Sequence, residues 1–162
     1  MRKFLLATGA ILLMSVTAAA QEEHAATPKV EVFGGYSYMR LYGLNTNGGE
    51  ADVTYNFKEW LGVTGDVSGH HATNNGGNYG FVMGGPKFTY RRGALTPFVH
   101  ILVGGSFGEG NSEGALALGV GVDAKVNKHV AIRLFQADYV ATTFRSNNGR
   151  FSAGIVFRFG ER

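Results

Sequence analysis

The sequence contains no cysteine, which excludes disulfide bonds, thiolate zinc sites and a cysteine nucleophile. Proline is scarce, with 3 residues in 162, and tryptophan occurs once, at position 60. The 15 Lys and Arg residues nearly balance the 12 Asp and Glu residues, so the chain lacks the basic excess typical of nucleic-acid binding. Hydrophobic residues make up 44% of the chain, which is too large a share for a disordered protein.

Long hydrophobic runs are also missing, apart from one at the amino terminus that is too short to span a membrane as a helix. Two basic residues at 2–3 precede the apolar run 4–16, and three alanines at 18–20 form a site of the type that signal peptidase cleaves. We therefore predict a signal peptide over residues 1–20 and a short periplasmic lead-in over residues 21–28. Without a cysteine after the apolar run, lipoprotein processing is excluded.

Glycine, by contrast, is abundant, with 25 residues that do not follow the every-third-position repeat of collagen. After the lead-in, apolar and polar residues alternate with a period of two, which predicts strands with one apolar face. The stretches are about as long as the 9 to 11 residues that a tilted strand needs to cross a bilayer, and longer than ordinary strands. Eight of them occur, near residues 30–38, 50–57, 61–70, 79–91, 99–107, 115–126, 130–139 and 150–159.

The connections between these stretches are expected to alternate in length. Longer segments rich in Asn, Gly and Ser occur at 43–47, 73–77, 109–113 and 142–149, and tight turns occur at 58–60, 91–93 and 127–128. Longer loops on one side and short turns on the other are typical of outer-membrane barrels. We therefore predict an all-β fold, an eight-stranded antiparallel up-and-down transmembrane β-barrel that forms one outer-membrane domain over residues 29–162.

Alternation alone does not say whether the apolar face is a core or a lipid-facing surface. The polar face is rich in Gly, Ala and Ser and carries few charges, which favours a narrow lumen over the exterior of a soluble barrel. Aromatic residues near the strand ends favour interfacial girdles on the apolar face. The predicted girdle contains Tyr36, Tyr38, Tyr55, Phe57, Trp60, Tyr90, Phe107, Phe157 and Phe159.

The charges on the polar face nearly balance, as a closed interior requires, because buried charges are tolerated when they are paired. Arg133 and Asp138 have opposite parity, so both point inward only if a β-bulge lies near Phe135. The predicted polar network of the lumen contains Glu31, Glu50, Asp52, Asp66, Lys87, Asp123, Lys125, Arg133, Asp138, Arg150 and Arg158.

One segment could carry chemistry, because Asp66, Ser68 and His70 share a strand face. Residues two apart on a strand lie about 7 Å apart, so Ser68 and His70 need a partner from another strand to form a catalytic pair. We predict polar lumen residues here and no catalytic site. His71 and His100 are interpreted as loop or lumen residues, and neither a metal site nor a cofactor is predicted.

The closing strand, Gly-Arg-Phe-Ser-Ala-Gly-Ile-Val-Phe-Arg-Phe at 149–159, resembles that of small outer-membrane β-barrel proteins of the OmpA/OmpX type. The stretches 34–38 and 136–139 are similar to the first and seventh strands of that family. The resemblance extends over the chain after the signal peptide and does not include a peptidoglycan-binding domain. It implies a porin-like integral protein with a structural role in the cell envelope and at most a narrow pore.

The resemblance also implies a place in the outer membrane of a Gram-negative-type bacterium, surrounded by lipid and lipopolysaccharide. The barrel-assembly machinery and periplasmic chaperones would be partners during biogenesis. We expect a monomer that binds no nucleic acid, with Arg91 and Arg92 in a periplasmic turn, solvated or in contact with headgroups. Two alternatives stay open: a lipid-modifying enzyme of the lipid A deacylase or acyltransferase type built on Ser68 and His70, and a soluble lipocalin-like periplasmic carrier.

Overall fold

The computed structural model describes residues 27–41, 43–73, 77–108, 110–143 and 148–161, so the predicted signal peptide lies outside the described residues. Eight antiparallel strands form a closed barrel in which neighbours in sequence pair, and the first strand closes against the last. This confirms the predicted fold class. The strands are β1 (Pro28–Leu41), β2 (Leu44–Asn56), β3 (Leu61–Ala72), β4 (Asn78–Thr89), β5 (Leu95–Gly108), β6 (Asn111–Lys125), β7 (Val130–Thr142) and β8 (Asn148–Glu161).

The two ends of the barrel differ in the connections that they hold. The turn end holds the chain entry at Pro28 and the β2–β3, β4–β5 and β6–β7 turns, and the loop end holds the other connections. The β6–β7 turn is closed by a 3.0 Å hydrogen bond from the Val126 amide to the Val130 carbonyl. Asn127 strengthens it, because its side-chain oxygen accepts hydrogen bonds from the amides of residues 129 and 130. Within the described ranges, no helix is long and apolar enough to cross a membrane.

The loop end differs from the expected pattern at two connections. The predicted long connection 43–47 is wrong, because β2 already begins at Leu44 and pairs with β1 as far as Leu41. The chain reverses through Gly43, whose φ of 83° is unfavourable for residues with a side chain. The prediction at 109–113 fails in the same way, with Gly110 at φ 82° and β6 beginning at Asn111. Asn, Gly and Ser thus belong partly to strands that continue past the apolar section.

A β-bulge lies in β7, as the parity of its charged residues predicts. The pairing of β7 with β8 shifts between Arg133 and Gln136, and the pairing with β6 shifts between Val122 and Asp123. Leu134 and Phe135 therefore both point outward, with 53% and 49% of their surface exposed. Because of this extra residue, the side chain of Gln136 points inward, and both Arg133 and Asp138 lie in the lumen.

The burial pattern shows which face is inside. Large apolar residues such as Val120, Ile101 and Val67 point outward and are about half exposed, whereas the largest fully buried side chains are Arg133 and Arg150. The lumen is therefore polar and filled with side chains through its middle. Toward the loop end it becomes apolar, in a buried group that we call the apolar cluster: Met39, Leu41, Phe81, Met83, Leu102, Ala115, Ala117 and Val140.

Candidate functional site in the barrel lumen

Arg150 of β8 lies at the centre of the lumen and faces three carboxylates from three other strands. Its Nη1 lies 2.9 Å from Asp66 Oδ1, its Nη2 lies 2.6 Å from Asp138 Oδ2, and its Nε lies 3.5 Å from Glu50 Oε2. Nη1 also donates to Ser68 Oγ at 3.0 Å. All three acids are at least nine-tenths buried. One guanidinium thus joins β8 to β2, β3 and β7, which the fixed fork of arginine donors makes possible.

A second buried arginine, Arg133 of β7, occupies the next position toward the turn end. It donates from Nε to Asp123 Oδ1 at 2.9 Å and from Nη1 to Asp52 Oδ2 at 2.6 Å. Its guanidinium carbon lies 4.0 Å from the ring centre of Phe33 and 4.6 Å from that of Phe98. The planar cation is therefore held at its edges by carboxylates and at its faces by rings, which compensates for its desolvation.

Gln136 connects the two arginine clusters. Its side-chain oxygen accepts a hydrogen bond from Arg133 Nη1 at 2.7 Å, and its amide nitrogen donates to Glu50 at 2.7 Å and Asp138 at 2.9 Å. An uncharged amide satisfies both a cation and two anions because it carries both donors and an acceptor. Gln136 was not among the predicted network residues. The displaced parity of β7 at the bulge is the sequence signal that points to it.

Hydroxyl groups extend the network toward β1 and β3. Ser152 Oγ lies 2.5 Å from Glu50 Oε2 and 3.0 Å from Ser37 Oγ, and His70 Nε2 lies 3.0 Å from the same Ser37 oxygen. His70 and Ser37 are buried. The histidine therefore pairs with a serine across the lumen, on a strand that does not neighbour its own.

Gly119 allows a contact between strands that are not neighbours. In the registers of the sheet it lies directly between His100 of β5 and Asp138 of β7. The imidazole reaches over it, and His100 Nε2 lies 3.0 Å from Asp138 Oδ1. A Cβ at position 119 would collide with both of these side-chain atoms. Part of the glycine excess thus serves to make room for long polar side chains in a narrow lumen.

The turn end of the lumen holds a third cluster around Glu31. Arg91 donates two hydrogen bonds to its carboxylate, at 3.1 and 2.9 Å, and Arg158 Nε donates a third at 3.2 Å. Asn56 donates a fourth, also at 3.2 Å. The expectation that Arg91 lies in a solvated turn is wrong, because the β4–β5 turn folds its side chain back into the lumen mouth and leaves 14% of it exposed.

The two predicted lysines of the network differ from the arginines. Lys87 is buried, but its Nζ has no hydrogen-bond partner among the described residues and lies 4.3 Å above the Phe98 ring. Lys125 is only half-buried at the end of β6, and within the described part of the chain no ion pair includes it. The ten other predicted network residues, Lys87 included, are inward and buried.

The segment with Asp66, Ser68 and His70 does not assemble a catalytic chain. Asp66 and Ser68 both accept hydrogen bonds from Arg150, whereas His70 turns to Ser37. The described residues contain no group of three His, Asp or Glu side chains placed to hold a metal ion. Asp66 and Ser68 therefore neutralise and order charge around Arg150, and the hypothesised pair of Ser68 with His70 is not formed.

Aromatic residues surround the barrel near both ends. Eight of the nine predicted girdle residues are exposed by 41% or more, and Tyr38 is half-buried. Among the described residues, four exposed aromatics were not in the prediction, namely Phe88, Phe135, Tyr139 and Phe151. At the loop end, Tyr38 Oη donates to Asn45 Oδ1 at 2.8 Å, and Tyr36 Oη bonds Asn47 Oδ1. The asparagines of the predicted loop thus bind the hydroxyls of these rings.

A closed eight-stranded barrel with an apolar exterior, aromatic ends and a salt-bridged interior has the architecture of a small transmembrane β-barrel. No family model matches the chain, and no curated protein matches it. Solved structures of small outer-membrane barrels do match. Neisserial surface protein A is 13% identical with a TM-score of 0.60, covering 80% of this chain and 96% of that one.

Two further solved structures give similar values. OprG of Pseudomonas aeruginosa is 11% identical with a TM-score of 0.57, covering 83% of this chain and 97% of that one. Ail of Yersinia pestis, in a phospholipid nanodisc, is 20% identical with a TM-score of 0.56, covering 82% and 99%. The chain therefore has the fold of the small eight-stranded outer-membrane barrels.

Proposed function

We propose that the protein is an integral outer-membrane barrel of a Gram-negative-type bacterium with a structural role in the envelope. Its signal peptide would be removed near Ala20, and the barrel-assembly machinery and periplasmic chaperones would bring it to the membrane. It acts as a monomer, without catalysis, and is surrounded by lipid and lipopolysaccharide.

The observation that carries the proposal is the inverted distribution of polarity. Arg133 and Arg150 are buried at the centre, while Val120 and its outward neighbours leave about half of their surface exposed. In water this arrangement would expose a wide apolar surface, whereas a bilayer covers it. A soluble lipocalin-like carrier would place these residues the other way round.

The lumen also indicates what the barrel does not transport. Side chains fill it through the middle, and the apolar cluster fills it at the loop end. An open water-filled channel generally requires about 16 strands. We therefore propose that wild-type protein in planar bilayers gives no stable ion conductance. Nothing in the arrangement of Ser68 and His70 favours the alternative of a lipid-modifying enzyme.

Membrane fractionation and gel mobility test the proposal. We expect the protein in the outer-membrane fraction, from which only detergent extracts it. On a gel, the unboiled sample, which is folded, should migrate differently from the boiled sample, which is unfolded. A protein that is soluble without detergent and shows no mobility shift would contradict it. Hydrolysis of lipid A by the purified protein, lost in Ser68→Ala, would instead favour the enzyme.

A pair of substitutions on one strand face tests the membrane orientation itself. Val120 lies in the central part of β6 and Val126 just beyond its turn end, with 49% and 58% of their surfaces exposed. An outward arginine costs about 2–4 kcal/mol at the bilayer midplane and about 0–1 near the interface. We expect Val120→Arg to reduce the folded fraction after refolding into vesicles and Val126→Arg to leave it nearly unchanged. Equal losses of folded fraction in the two variants would show that Val120 and Val126 do not lie at different depths in a bilayer.

A further inference from the structure

The exposed charges of the barrel are distributed unequally between its ends. Four exposed basic residues lie at or near the turn end, namely Lys29, Lys58, Arg92 and Lys128, and the half-buried Lys125 lies beside them. Among the described residues, Glu59 is the one exposed acidic residue that accompanies them. At the loop end the described residues carry one arginine, Arg40, and one glutamate, Glu113. The turn end is therefore a basic surface, although the whole chain is close to neutral.

Two of these basic side chains lie above exposed aromatic rings. Lys58 Nζ lies 5.4 Å from the ring centre of Trp60, and the Arg92 guanidinium carbon lies 5.4 Å from that of Tyr90. Both rings are more than half exposed, and Trp60 stacks on the outward ring of Phe88 at 6.2 Å. Each cation is thus held at the outer surface of the barrel, at the level of its aromatic girdle.

The two pairs belong to neighbouring turns that are bonded to each other. The Thr89 amide donates to the Trp60 carbonyl at 3.0 Å, and Arg91 Nε donates to the Glu59 carbonyl at 3.2 Å. Arg91 directs its charge inward to Glu31, so Lys58 and Arg92 remain as the outward cations. Backbone contacts therefore join the turn that carries Lys58 to the turn that carries Arg92, and Glu59 is the acidic residue of the Lys58 turn.

The position of Lys58 and Arg92 at the level of the aromatic girdle indicates which class of ligand they bind. A girdle of Trp and Tyr lies at the depth of lipid headgroups, where the phosphate is the principal anion. Arginine binds phosphate through two parallel hydrogen bonds, and lysine binds it as a point charge. Tyr36 and Tyr38 at the loop end differ, because asparagine side chains bind their hydroxyls and no cation is placed over their rings among the described contacts.

We propose that Lys58 and Arg92, held over Trp60 and Tyr90, form a binding site for the phosphate of an anionic phospholipid in the leaflet at the turn end. The inference rests on the proposed membrane function. The site gives the barrel a preferred lipid neighbour and anchors the turn end at a defined depth, while the apolar surface above it packs against acyl chains.

The test compares lipids bound to the whole barrel. The protein is inserted into vesicles of phosphatidylcholine with a minor fraction of phosphatidylglycerol and extracted gently, and the lipids retained are measured by mass spectrometry. We expect phosphatidylglycerol to be enriched over its share in the vesicle. The double variant Lys58→Gln, Arg92→Gln should lose this enrichment, by about fivefold for each charge removed. Arg40→Gln is the matched control, because Arg40 is an exposed arginine at the loop end.

Three outcomes would overturn the proposal: no enrichment in the wild-type protein, an unchanged enrichment in the double variant, or an equal loss in Arg40→Gln. Complete competition by inorganic phosphate would assign the site to a free anion and would also overturn it. Insertion is checked first, by flotation with the vesicles and by gel mobility. A barrel that does not insert contradicts the proposed function, whereas an inserted barrel without lipid preference contradicts the headgroup site alone.

Discussion

Two adjoining sections of the lumen are buried by opposite means. In the charged section, Arg133 and Arg150 bind five carboxylates from four strands, with bonds of defined length and direction. In the apolar cluster, residues such as Met39, Phe81 and Leu102 fill the same cylinder with packed hydrocarbon. Both sections leave almost no accessible surface.

The two sections contribute to stability in different ways. Hydrocarbon packing stabilises by an amount that changes gradually with the volume removed. A buried ion cluster contributes little net stability compared with an apolar replacement, but removal of one member leaves uncompensated charge. We therefore expect the charged section to determine which strands face each other, and the apolar cluster to close the lumen at the loop end.

The largest loss of stability is expected when Arg150, the central cation of the charged section, is replaced. Arg150→Met leaves Glu50, Asp66 and Asp138 close together without their shared cation. The cost should lie at the upper end of the about 3–5 kcal/mol that a broken buried ion pair loses. Denaturation by urea in detergent or vesicles measures it, with the boiled and unboiled gel forms as the readout of folding.

Lys125→Met is the control for this change, because it also removes one cation but from a half-buried side chain outside the network. It should unfold at the wild-type urea concentration. An Arg150→Met barrel as stable as the Lys125→Met barrel would show that the charged section does not depend on its central cation.

A smaller effect is expected in the apolar cluster. Leu102 is fully buried there, and Leu102→Ala should cost about 3 kcal/mol through the cavity that it leaves. Leu102→Met keeps the volume and should cost less than about 1.5 kcal/mol. The same urea titration distinguishes them. Equal losses in both variants would argue that volume at this position is not what stabilises the loop end.

The smallest effect is expected at Lys87, which is buried in the charged section without a hydrogen bond to a described residue. Because its Nζ bonds none of the described residues, Lys87→Met should change the free energy of unfolding by less than about 1 kcal/mol. Arg133→Met, at a neighbouring level of the lumen, should cost about 3–5 kcal/mol. A large loss in Lys87→Met would mean that its charge, without a bond, supports the whole section.

The architecture could be predicted from the sequence because strand faces follow parity. Along β6 the outward residues Leu116, Leu118 and Val120 alternate with small inward ones, and the structure keeps this pattern. The bulge in β7 was also predictable, since two charged residues of opposite parity can share one lumen only if a residue is inserted between them.

The partners inside the lumen could not be predicted in the same way. Arg150 meets acids from three strands, and two of these strands, β2 and β3, are distant from it in sequence. Arg91 lies in a turn by sequence, and only the fold of that turn directs it to Glu31. Neither the contacts of Arg150 nor that of Arg91 leaves a periodic pattern in the sequence, because pairing across a lumen depends on the shear of the barrel and on side-chain length.

Local alternation and the cost of buried charge were enough to predict the number of strands, their inward and outward faces and the need for a nearly neutral polar interior. Three contacts depend on the closed fold: Gln136 joins the two arginine clusters, Gly119 lets His100 reach Asp138, and Arg91 rather than Lys125 completes the ion pairs. Those contacts form only after the barrel closes, when strands far apart in sequence face each other across a narrow lumen.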